Sequence, residues 1–179
     1  MRTFRAGVTC LAIFTVLALA ACSGASPSTD EVETLAETKP PVQLLRNNVA
    51  GHIEQDATEG VTKVEDSSVA CDDPDGLIRM WRSTALLELV AEHAANVTAT
   101  ARAMGAELVD HEWTSVETAV SGSALTLELT NPSSRALIRI TANEDADGDG
   151  RGATIFVVVT GPCVTTDGPG SEELAELGE

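Results

Sequence analysis

The chain has 179 residues, with 28 acidic against 11 basic side chains and a net charge of −17. A chain this acidic, with its Lys and Arg scattered, excludes nucleic acid as a partner and repels anionic lipid headgroups. Aromatic residues make up 3% and tyrosine is absent, so few rings are available to stack on sugars or bases.

The N-terminus reads as an address. Arg2 and Arg5 form a basic n-region, and Ala6 to Ala20 is uncharged and apolar. That run has the length of a signal h-region and is short of the roughly 20 residues a membrane span needs. Leu19-Ala20-Ala21-Cys22 then matches a bacterial lipobox, in which Cys22 receives lipid and becomes the first mature residue. The alternatives are a signal cleaved at an Ala-x-Ala site or a short anchor helix. Each buried methylene contributes about 0.8 kcal/mol, and stable anchoring needs more than one chain. A diacyl or triacyl cysteine meets that condition, so residues 1–21 are expected to be a lipoprotein signal peptide and the partner at this end a membrane. The remaining 158 residues hold nine basic and all 28 acidic residues, a net charge of −19. That is one domain's worth of chain.

Residues 22–39 are rich in Ser, Thr, Ala, Glu and Asp and read as a flexible spacer. Pro40-Pro41 opens a helical pattern, Val42, Leu45, Val49 and Ile53, with proline in its first turn. A strand is expected over Val61 to Val69. After Asp72-Asp73-Pro74-Asp75-Gly76, residues 77–88 read as a strand and 90–104 as a helix that Gly105 stops. One long helix over 77–104 is the rival reading. Three alternating segments follow, at Val116 to Val120, Leu125 to Thr130 and Ala136 to Ile140, and then a continuous apolar run at Ile155 to Val159. Short links join them. The expected fold is α+β, a two-layer sandwich in which two helices cover an antiparallel meander of four to six strands. The domain is expected over 40–165, with 166–179 a solvated acidic tail.

The cysteines sort by position. Cys10 falls in the signal and Cys22 is the lipidation site, which leaves Cys71 and Cys163 in a compartment that permits disulfides. There is no Cys-x-x-Cys and no histidine near either in sequence, so a structural bridge is expected rather than a redox pair or a metal site.

Asp145-Ala146-Asp147-Gly148-Asp149-Gly150 resembles the start of an EF-hand loop, with carboxylates at positions 1, 3 and 5. The twelfth position is Phe156, where a bidentate Glu belongs, and the flanks read as strands. Asp145, Asp147 and Asp149 are thus candidate ligands for weakly held calcium, against the reading of a solvated turn. His52, His93 and His111 lack the four-residue spacing of a helical zinc motif. Asp110-His111-Glu112 sits at the expected start of the sheet, where neighbours point to opposite faces. Trp81 and Trp113 are expected as core anchors, with one lining a ligand groove as the alternative. No nucleophile elbow, Walker loop or dinucleotide fingerprint is present.

The lipobox, the acidic spacer, the Ala/Val/Thr-rich composition, the single cysteine pair and Glu112-Trp113 after Met104-Gly105 resemble the small uncharacterised lipoproteins of actinobacteria. The resemblance implies envelope localisation and no reaction. The expected role is a non-enzymatic binding or interaction module on the outer face of the cytoplasmic membrane, holding an apolar ligand or an envelope protein. Its alternatives are a calcium-stabilised domain and a hydrolase with convergent carboxylates.

Overall fold

Thr34 starts the first helix. Its hydroxyl accepts from the Glu37 N–H, and the Glu37 carboxylate accepts in turn from the Thr34 N–H at 2.7 Å. This reciprocal capping box fixes the start of helix α1, Leu35–Ala50. These contacts come from a computed structural model, which describes residues 33–119, 125–144 and 152–178. The helix therefore begins one turn before Pro40, inside the stretch expected to be spacer, and Leu35 is fully buried. Pro40 and Pro41 lie within the helix, both on its exposed side.

The chain is mixed α+β, with a seven-stranded antiparallel sheet and four helices among the described residues. The strands are β1 (Thr58–Ala70), β2 (Ile78–Leu89), β3 (Thr114–Ala119), β4 (Leu125–Asn131), β5 (Ala136–Asn143), β6 (Thr154–Thr160) and β7 (Val164–Thr165). Helices α2 (Ala91–Ala94) and α3 (Val97–Val109) connect β2 to β3, and α4 (Glu172–Glu176) follows β7. Residues 77–104 are thus strand and then helix, and the single long helix is excluded.

The order is β1-β2-β6-β5-β4-β3, with β7 also on β2. The expected meander is present as β3 to β6. The sheet as a whole is larger, because the β1–β2 hairpin docks on β6 and the chain returns after Gly161-Pro162 to pair β7 with the start of β2. The link over α2 and α3 carries the chain from β2 across to the far edge.

Register puts the apolar positions in rows. Leu127, Ile140, Val157 and Ala85 lie directly opposite one another across four strands, and all are buried. Leu129, Ile138 and Val159 form the next row. Helix α1 packs mainly on β2 and β6, and α3 on β4 and β5. The opposite face carries the Arg139–Glu128 cross-strand pair at 2.6 Å. At β3 the alternation misleads. Glu117, not Val116, lies opposite Leu127, so Val116 falls on the open face and is 59% exposed. Glu117 is held from the helix layer by Arg102, 2.8 Å away.

Gly105 does not stop α3, which runs to Val109. It is buried because the helix passes close over β4 there. The C-terminal stretch is not a solvated tail. Ser171 caps α4, Leu174 is buried, and the Leu177 carbonyl accepts from Lys39 at 3.2 Å. The same ammonium lies 4.6 Å above the ring of Trp81, so the C-terminal segment, α1 and β2 meet at one point.

Candidate functional site

A groove runs along the side of α1 that faces away from β1. Its first section, about 640 Å³, lies between the C-terminal end of α1 and α3 and is bounded by His52, Glu54, His93 and Glu107. The second, about 580 Å³, continues past Asn48 to Leu108, His111 and Trp113. The third, about 350 Å³, lies between the start of α1 and the β4–β5 turn. Gly51 and His52 line both the first and second sections, and Leu45 lines both the second and third. These are sizes typical of small-molecule sites.

The local sequence explains the walls. Along α1, Pro41 and Leu45 share one side with Asn48, because residues three and four apart stack on a helix face. Gly51 closes α1, donating to the Asn47 carbonyl at 2.9 Å, and the chain then turns so that His52 stands at the helix end. The β4–β5 turn is set by Asn131, whose side-chain oxygen accepts from the Ser133 and Ser134 N–H groups. Arg135 follows at φ 52° and reaches Glu33 at 2.9 Å, bridging the mouth of the third section.

All three histidines of the chain meet this groove, a convergence that their spacing does not predict. His111 sits in a turn, not a strand, and Glu112 takes φ 68° there, so the opposite-faces argument does not apply to it. Among the described residues no group of three or more His, Cys, Asp or Glu is placed to hold a metal ion. Ser133 and Ser134 line the end beside Pro41, and the histidines line the end beside Gly51. Pro41 and Gly51 are ten residues apart, about 15 Å along the helix, too far for a serine at one end and a histidine at the other to form a nucleophile–base pair. Trp113 is 8% exposed and lines the middle of the groove, while Trp81 is buried under Lys39.

Cys71 and Cys163 form a disulfide with Cα atoms 6.3 Å apart. It ties the end of β1 to the chain leaving β6, next to Pro162 of the groove wall. Beside it Asp73 organises the turn. Its carboxylate accepts from the Leu77 N–H at 2.6 Å and from the Ile78 N–H at 2.9 Å, and these bonds, Ile78's foremost, hold the group below its ordinary value. Glu37 is lowered by its bonds from Thr34, and Glu117 by Arg102.

A second polar feature lies under α1. Arg46 is 6% exposed and donates to the Thr84 carbonyl at 3.3 Å, but its Nε has no partner among the described residues. Trp81 Nε1 and Ser83 Oγ are likewise buried and unpaired. Cys22, the expected lipidation site, and the calcium candidates Asp145, Asp147 and Asp149 lie outside the described residues. No described helix is long and apolar enough to cross a membrane. No family model matches the sequence, and neither a curated protein nor a solved structure matches it.

Proposed function

We propose that this chain is a lipid-anchored envelope protein whose domain acts as a non-enzymatic binding module, with the α1 groove as its ligand site. The observation that carries the reading is the row of three cavities along α1, the first two sharing Gly51 and His52 and the last two sharing Leu45. Its first section is the polar one, with His52, Glu54, His93 and Glu107, while Leu45, Leu108 and Trp113 in the second and Pro41 and Val42 in the third supply apolar wall. A ligand with an apolar body and one polar end matches that lining. The anchor reading rests on Leu19-Ala20-Ala21-Cys22 and the basic n-region before it.

Native mass spectrometry of the full-length protein, extracted from the envelope in mild detergent, tests both parts. The expected spectrum shows an N-terminal acyl mass on Cys22 and a retained non-covalent mass. Leu45→Trp narrows the groove and should remove the retained mass while leaving the acyl mass. A bare protein mass in the parent chain would count against a small-molecule ligand. An unmodified Cys22 would remove the anchor.

A further inference from the structure

β1 is an edge strand. Among the described residues it pairs with β2 and with no other strand. It runs for 13 residues, where strands of about five or six are usual. Val61 and Val64 lie opposite Leu87 and Ala85, on the face that carries the helices, yet they are 48% and 49% exposed. The helix layer ends at β2, since α1 packs mainly on β2 and β6 and α3 on β4 and β5.

Long edges with exposed apolar residues invite pairing, and proteins usually blunt them with lysine or a bulge. β1 has a bulge between Val61 and Lys63. Beyond it, from Lys63 to Ala70, the pairing with β2 is regular. Lys63 is the only basic residue of the strand. It is ion-paired at 2.6 Å with Glu65, which follows it on the same face, and both are exposed. One positive and one negative charge flanking Val64 form a self-complementary set.

We propose that β1 pairs antiparallel with β1 of a second copy about a two-fold axis through Val64, which joins the two sheets edge to edge. In that register Lys63 faces Glu65 of the second copy and Glu65 faces its Lys63. Centring the axis on Lys63, Glu65 or Asp66 would instead set a charge against its own copy. Of the centres from Lys63 to Ala70, Val64 alone sets opposite charges of the strand face to face, and its apolar side chains then meet on the helix side. The other sheet edge, β3, has six residues and no lysine or arginine to supply such a set. An axis perpendicular to the sheet also keeps both α1 helices on one face, so both chains can be held from the same side. The pairing is independent of the groove reading.

The test is disulfide trapping in the full-length chain in the bacterial envelope. Paired residues have Cα atoms about 4.5–5.5 Å apart, within reach of a disulfide. Val64→Cys is expected to give a covalent dimer on mild oxidation, while Val116→Cys on the other edge stays at background. Adding Lys63→Glu to Val64→Cys should lower the trapped fraction about tenfold, since two like-charge pairs then oppose the contact. Adding Glu65→Lys as well should restore it. Trapping of Val64→Cys no greater than that of Val116→Cys would overturn the proposal. So would trapping that ignores Lys63→Glu, or a charge swap that fails to restore it.

Discussion

Gly105 of α3 and Leu127 of β4 are in direct contact, and a Cβ at Gly105 would stand 2.8 Å from the Leu127 Cδ1. Alanine is the better helix former by about 1 kcal/mol. Overpacking a core costs about 1–3 kcal/mol, and Leu127 is 4% exposed with little room to give. Gly105→Ala should therefore destabilise the domain by about 1 kcal/mol, with part of the loss recovered by Leu127→Val. Chemical denaturation of the parent, Gly105→Ala and the double variant checks this. A net gain in Gly105→Ala would mean that Leu127 yields.

Arg46 places a charge under α1 with one hydrogen bond and an unpaired Nε. A buried charge without a full set of partners opposes folding, and apolar replacement of such groups is often stabilising by about 1–4 kcal/mol. Arg46→Met keeps the side-chain length and should raise stability by about 1 kcal/mol. A thermal midpoint lower than that of the parent would show that the guanidinium is better satisfied than this.

The disulfide spans 92 residues of sequence. Replacing both cysteines by serine should cost about 4.6 kcal/mol by the chain-entropy argument. Denaturant midpoints with and without reductant measure it. A cost below about 1 kcal/mol would mean that the unfolded chain is already compact.

Asp73 and Glu37 are both held below their ordinary values of 3.8 and 4.5 in the folded chain. The unfolded chain therefore takes up protons first as pH falls. Their contribution is complete above those ordinary values and is lost as pH drops through them toward the lowered ones. Asp73→Asn should be less stable than the parent at pH 7, with the gap closing as acid is added. Thermal melts from pH 7 to 3 follow it, and a gap that stays constant would show that Asp73 acts by geometry alone.

The meander was legible because β4 and β5 bury alternate residues against helices, which leaves period two in the sequence, while β6 shows as the unbroken apolar run Ile155 to Val159. The strand-then-helix reading of 77–104 and the Cys71–Cys163 bridge were legible for similar local reasons. β3 was legible as a strand but its inner face was not, because an edge strand can place an ion pair such as Glu117–Arg102 on its inner side and a valine outside. The start of α1 was hidden in a polar, acidic stretch whose capping box, Thr34 to Glu37, is itself polar. The ordered C-terminus was masked by its acids, although Leu174 is buried and Leu177 partly so. The groove lay beyond the sequence altogether. It is built from the end of α1, the α3–β3 turn and the β4–β5 turn, and no spacing encodes their meeting.

The bridge between Cys71 and Cys163 has a consequence for the chain as a covalent object. The backbone from residue 72 to 162 forms a closed ring with the disulfide, and α1 and α4 hang from it on either side. A single cut by a protease anywhere in that ring severs no piece from the rest. The nicked protein keeps its N-terminal portion joined to its C-terminal one until a reductant opens the bond. Only cleavage outside the ring sheds a fragment at once, so in an oxidising compartment the ring can be damaged without being lost.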